Sequence, residues 1–327
     1  MTFARDFQLT VTQARAALGA LRSVVEADGN ITTNGARLLG VAADSLELRN
    51  DWRGLPTVSS EAIGQAFPSA EARRALADAL IVAACIEGEV TAKGEAAVRS
   101  LATALGVRSP WVDLLPALRR RQVFAVKRQL VRRSPDARRV LARTWAEDGV
   151  LGVWHALLFV LGVHRDPALA ARFRATSALP EGTVGRTFFD DFEARKLAFP
   201  GERGGMPERM VHHDLMHVVN RYGTDAAGEC ELAGFYAGST PGDSFTFIVT
   251  VLATFHLGMA VSPSIVTPAR LAFDPARVLA AFLRGRRLRI DVMGPWDYWA
   301  ILPLPIDEAQ ACLGLGPAPG TSTAVPA

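Results

Sequence analysis

Near the middle of the chain His213, Asp214, His217 and Glu229 set out the pattern His-Asp-x-x-His, then eleven residues, then Glu. Such a set could give one divalent cation four ligands. Successive residues of an α-helix turn by about 100°, so positions 213, 214 and 217 fall within roughly a quarter turn of one face. Gly223 lies midway between His217 and Glu229, so a helical hairpin reversing at Gly223-Thr224 returns Glu229 to the level of His217. Two imidazoles and two carboxylates are borderline-to-hard ligands, suited to Zn²⁺, Fe²⁺ or Mn²⁺ and poor for Cu(I) or an iron–sulfur cluster. His212 turns about 140° away from His217 and is expected at the surface or behind the ligands. Cys230, about 100° from Glu229, reads as core packing. Zinc hydrolases of the His-Glu-x-x-His type are disfavoured, because Asp214 is too short to reach a metal-bound water as their Glu does.

Helical periodicity dominates the elements that must carry these side chains. Gln13 to Ala27, Asn34 to Leu48, Ala70 to Ile86, Lys93 to Leu105 and Asp113 to Val131 return apolar residues every three or four positions, and no stretch alternates as a strand. The turn Asp28-Gly29-Asn30-Ile31-Thr32-Thr33-Asn34-Gly35 recurs 59 residues later as Glu87-Gly88-Glu89-Val90-Thr91-Ala92-Lys93-Gly94. Each copy reads as a helix stop at Gly, an aliphatic anchor and a Thr cap for the next helix. An EF-hand is excluded, since the run of oxygen ligands and the closing Glu are absent. These turns resemble those of tellurite-resistance TerB-like helical domains, over about residues 10–106. The expectation is an all-α, multi-helix bundle-like fold in two helical domains, a basic one over 1–168 and a metal-binding one over 175–315. A disordered tail, 316–327, follows.

The 327 residues carry a net charge of +3, which divides into +6 over residues 1–140 and −3 over the remainder. Three widely spaced cysteines argue against a disulfide framework and for a reducing compartment. No basic head followed by an apolar stretch opens the chain, so a cytoplasmic location is expected. The apolar runs Val150 to Val163 and Phe245 to Val261 are at or below the short end of the about 20 residues a membrane span needs, and each contains a His. Both read as buried helices. Residues 119–139 hold nine Arg or Lys interleaved with Leu and Val. That amphipathic basic stretch suits an anionic membrane surface or an acidic partner, or is simply a solvated face. Nucleic acid is not expected, because only Phe124 offers a stacking ring.

The metal pattern has company. Leu179-Pro180-Glu181-Gly182-Thr183-Val184-Gly185-Arg186 with Asp191-Phe192, the Gly228-Glu229 pair, and Trp296 to Leu313 together resemble the ubiquinone (coenzyme Q) biosynthesis family known as the fourth coenzyme Q assembly protein. The family signature is His-Asp-x-x-His, eleven residues, Glu, and the resemblance spans about residues 175–315. It implies a mostly helical fold and a divalent metal, zinc or else iron or manganese, held by His213, Asp214, His217 and Glu229. It also implies peripheral association with the inner face of the membrane where prenylated quinone precursors reside. The family is linked to removal of the ring carboxylate from a polyprenyl-4-hydroxybenzoate, with replacement by oxygen, and to organising other quinone-biosynthesis proteins. Two features depart from it: Arg221-Tyr222-Gly223-Thr224 replace the Leu-Pro common after the second His, and the basic amino-terminal half is not part of the family body. A different quinone or a specialised relative fits both.

The resulting expectation is a metal-dependent decarboxylase of a prenylated aromatic lipid. The alternative is a non-catalytic prenyl-lipid-binding scaffold with a structural metal; either is compatible with a homodimer. Arg186 is expected either to meet a substrate carboxylate or phosphate or to form an ordinary ion pair. The Phe245 to Val261 helix would line a prenyl tunnel or be core, with core favoured. His256 on it is expected to be a hydrogen-bonded core histidine and not a fifth ligand.

Overall fold

The computed structural model describes residues 3–48, 51–58, 69–134, 165–240, 244–261 and 269–316, with a few single positions between. The apolar run Val150 to Val163, Arg138 and Arg139 of the basic stretch, and tail residues 317–327 lie outside the described residues. Among the described residues every regular element is helical and extended pairing is confined to two isolated bridges, as expected for an all-α chain. In order the α-helices of five or more residues are α1 Val11–Val25, α2 Thr33–Ser45, α3 Ala70–Cys85, α4 Ala92–Ala104, α5 Leu115–Arg119, α6 Val123–Arg133, α7 Pro167–Arg174, α8 Val184–Ala194, α9 Val211–Asn220, α10 Ala226–Ser239, α11 Phe245–Val251, α12 Pro275–Gly285 and α13 Ile306–Cys312.

Two compact units form, Met1–Arg133 with Phe245–Leu279, and Ser134–Ser244 with Ala280–Ala327. They interleave, whereas the expected domains followed one another along the chain. The reason is the apolar 245–261 segment, which supplies Ile248, Val249, Val251, Leu252, Ala253 and Phe255 to the core of the first unit. It is core, and it belongs to the unit that does not hold the metal-type residues.

In the first unit the repeated turns join α1 to α2 and α3 to α4. Gly29 and Gly88 take the left-handed backbone at φ 103° and 77°. Thr32 and Thr91 then cap α2 and α4, accepting from the amides of Gly35 at 3.2 Å and Gly94 at 2.9 Å. The two helical hairpins pack mainly through α1 on α3 and α4. The single helix expected over Asp113 to Val131 is broken into α5 and α6. Arg121 adopts φ 53° there, its amide bonding to the Leu118 carbonyl at 3.0 Å and that of Gln122 to the Ala117 carbonyl at 2.8 Å. That paired closure ends a helix whatever its apolar spacing. α11 runs on into a π-helix, Leu252–His256. His256 is buried, receives the Phe273 amide on Nδ1 at 3.2 Å and lies 3.0 Å through Nε2 from the Ile86 carbonyl. It is a core histidine, neutral with its proton on Nε2, and burial holds its pKa down.

In the second unit an aromatic cluster sets the frame. Phe188 stacks on Phe192 at 4.2 Å, Phe192 meets Phe199 at 5.3 Å, and Phe173 meets Trp299 at 4.6 Å. Buried aromatics bring large apolar area and geometric preference together. The Leu179 to Arg186 segment docks along the carboxy-terminal strip: the Val184 amide bonds to the Leu304 carbonyl at 2.9 Å and the Gly185 amide to the Leu302 carbonyl at 2.8 Å. A Cβ on Gly185 would stand 3.0 Å from that carbonyl oxygen and 2.7 Å from Leu179. The glycine therefore serves this docking, with α8 carried beneath α9 as a result.

Candidate metal centre

The site is built on two consecutive helices. α9 ends at Arg221, which is left-handed at φ 55° and ion-paired with Asp307 at 2.8 Å. The expected reversal at Gly223 thus begins two residues earlier, on a residue with a side chain. Asp225 caps α10 by accepting the Gly228 amide at 2.8 Å. Gly228 sits so tightly on the preceding turn that a Cβ there would lie 1.8 Å from the Gly223 carbonyl oxygen. Glycine at 228 permits that contact, and the contact fixes the first turn of α10 with Glu229 on it.

The result brings His213, His217 and Glu229 together, with one ligand atom from each lying within 4.8 Å of the others. Glu229 bridges the imidazoles, Oε2 at 3.6 Å from His213 Nε2 and Oε1 at 3.3 Å from His217 Nε2. The rings stand nearly perpendicular with centroids 5.0 Å apart. His213 is 40 % exposed and His217 only 3 %, so the cluster opens on one side and is walled on the other. Burial alone would raise the Glu229 carboxyl; the two imidazoles beside it outweigh that and hold the pKa at about 2. The contact to His217 is within ion-pair reach but off hydrogen-bond geometry, and both His217 ring nitrogens are buried with no hydrogen-bond partner. Unsatisfied buried nitrogen beside an anionic carboxylate is what a cation would relieve. Two nitrogens and one carboxylate fit Zn²⁺, Fe²⁺ or Mn²⁺.

Asp214 is not brought into this group. It lies about 100° around α9 from His213, is buried, and has Oδ1 3.5 Å from the guanidinium of Arg195 and Oδ2 without a hydrogen-bond partner. The expected four ligands are three in this arrangement, with Asp214 beside them. Arg195, which also pairs with Asp191, was missed from sequence. The four-residue spacing from Asp191 announces a helical ion pair, but nothing local announces the reach to Asp214 nineteen positions away. Arg186 is likewise outside the group: it grips Asp190 at 2.9 and 3.0 Å and donates to the Ser177 carbonyl at 3.1 Å. Asp190 raises its pKa, with a smaller contribution from the charge of Glu181. Of the two roles open to it, the ion pair is the one formed. His212 is buried and not at the surface; the Tyr236 hydroxyl donates to its carbonyl at 3.3 Å. Its ring helps line a separate cavity of about 110 Å³ with Glu208, Met293, Trp296 and Tyr298, well below the roughly 300–1,000 Å³ of small-molecule pockets.

No family model matches the chain, and neither a curated protein nor a solved structure is found similar to it.

Proposed function

We propose that this chain is a divalent-metal enzyme that removes the ring carboxylate of a prenylated hydroxybenzoate at the membrane surface, as the ubiquinone-biosynthesis resemblance implies. The observation carrying the metal part is the convergence of His213, His217 and Glu229 within 4.8 Å. Substrate class rests on the resemblance of residues 175–315. When bound, the metal would supply Lewis acidity toward a carboxylate or phenolate oxygen. The protein contributes the rest. His217 and Glu229 hold the ligand set from the walled side, and His213 stands at the open side where a substrate enters. Met210, one turn before His213, is 41 % exposed and offers an apolar contact at that mouth. Arg195 keeps the Asp214 carboxylate in place behind α9. Three protein ligands with an open side favour catalysis over a closed structural site, which takes four. Peripheral attachment to the inner face of the membrane belongs to the same reading; among the described residues no helix is long and apolar enough to cross a membrane.

Elemental analysis of the purified protein, paired with mass spectrometry of lipid extracted from it, tests the reading. One divalent ion per chain and a co-purifying prenylated aromatic are expected. His217→Ala and Glu229→Ala should abolish turnover of the carboxylated precursor while far-ultraviolet circular dichroism stays helical. Turnover surviving in both variants sinks the enzyme, and unchanged quinone production with a strongly lowered melting temperature would leave the scaffold in its place.

A further inference from the structure

α6, Val123–Arg133, carries two apolar faces. Val126 and Leu130 point into the first unit and are buried. The Thr246 hydroxyl of α11 donates to the Arg133 carbonyl at 3.3 Å and Trp111 meets Phe245 edge-on at 6.5 Å, closing this inner side. Opposite to it, Phe124 is 79 % exposed and Val131 58 %, while Val123, on the Leu130 side at the first residue of the helix, is exposed as well. Three of the seven exposed large apolar side chains among the described residues therefore sit on one eleven-residue helix. At about 100° per residue Phe124 and Val131 differ by only about 20°, with Lys127 and Arg128 flanking them by roughly 40–60° on either side. Arg132, about 80° from Phe124, adds charge at the border, Arg120 precedes the helix, and all four cations are exposed. None of Arg120, Lys127, Arg128 and Arg132 makes an ion pair with another described residue.

We infer that the outer face of α6 docks this chain on an anionic lipid bilayer, Phe124 and Val131 entering the headgroup boundary while Lys127, Arg128 and Arg132 meet the lipid charge. An apolar stripe bounded by cations is the arrangement of a helix lying in a membrane interface. An acidic protein groove would satisfy the cations but leaves no reason for a phenyl ring to stand in water at the tip of the helix. A nucleic acid would ask for several stacking rings, and the helix has one. The surface is independent of the metal centre, so its failure and the failure of the catalytic reading are separate results.

The test is co-sedimentation of the full chain with phosphatidylcholine vesicles containing or lacking phosphatidylglycerol, at low and high salt. Partition only onto the anionic vesicles, weakened by salt, is expected. Lys127→Glu with Arg128→Glu should lower partition by at least about thirtyfold, at roughly tenfold or less per lost cation plus repulsion from the new acid. Phe124→Asp should lower it at least about tenfold. The exposed Arg74→Glu of α3 is the charge control and should leave most binding intact. All these sites are exposed, so melting temperatures serve as the folding check. Equal binding to neutral vesicles, no binding to either, loss in Arg74→Glu equal to that in Lys127→Glu with Arg128→Glu, or a dimer broken by Phe124→Asp in place of lipid binding each overturns the proposal.

Discussion

At the centre of the site stands an imidazole with both nitrogens out of water and unbonded, held 3.3 Å from a carboxylate. Such an arrangement is costly unless a third party joins it. A metal takes imidazole in its unprotonated form and binding releases protons, so affinity should fall as the solution is acidified. Isothermal titration with Zn²⁺ between pH 8 and 5.5 reads this, and a flat profile speaks against histidine ligation. Glu229→Gln should weaken binding by at least about tenfold, since a neutral amide is a poor ligand. In the metal-free protein the Glu229 carboxyl, depressed to about 2, is worth stability above its ordinary range near 4.5, and that stability is lost as pH falls from there toward 2. Glu229→Gln should remove that segment of the acid unfolding curve. Arg195→Leu should cost about 1–2 kcal/mol, less than breaking a fully buried pair because Arg195 is a third exposed. Adding Asp214→Asn should restore part of the loss in a denaturant double-mutant cycle. His213, His217 and Glu229 were legible because helical spacing is local geometry. Asp214 stands apart from that trio: an arc of a quarter turn brings a residue onto a face, but a neighbour from elsewhere in the chain, here Arg195, decides which partner it meets.

The elements teach a complementary point about turns. The two Gly-x-aliphatic-Thr copies folded as their chemistry demands, since a left-handed glycine and a capping hydroxyl leave the backbone little choice. Thr32→Ala and Thr91→Ala should each cost about 1 kcal/mol in chemical denaturation. The reversal after α9 was harder to foresee, because Arg221 takes a conformation that sequence assigns to glycine, and its ion pair to Asp307 comes from more than eighty residues on. The division of the basic helix at Arg121 escaped for a similar reason: hydrophobic spacing continues through it unbroken. Gly228→Ala is the sharpest test at this scale. A methyl 1.8 Å from the Gly223 oxygen must push the first turn of α10 outward, and Zn²⁺ affinity should fall by more than about tenfold while helix content holds. Unchanged affinity in Gly228→Ala would mean that the turn contact does not position Glu229.

Across the whole molecule, helical class was readable from periodicity, whereas the grouping of helices was not, because any strongly apolar segment can complete whichever core lacks one. Loading with Zn²⁺ at about a thousand times its dissociation constant should stabilise the second unit by about 4 kcal/mol, and hydrogen exchange should slow in α9 and α10 before anywhere in α1 to α4. The first unit has its own signature in pH. Burial holds His256 neutral, so below the ordinary histidine value the unfolded chain takes up a proton that the folded one refuses. Its stability contribution is complete above about pH 6.5 and declines beneath it. Melting curves of wild type and His256→Gln should converge as pH is lowered toward 5, and parallel curves would deny the linkage. The building of one unit from Met1–Arg133 and Phe245–Leu279 also has a temporal meaning. On a ribosome the amino-terminal helices emerge long before the segment that finishes their core, and at about 5–20 residues per second the wait for Leu279 is roughly 7–30 s. During that interval the nascent chain should expose an unfinished apolar seam, the kind of surface that chaperones acting while translation is still under way bind.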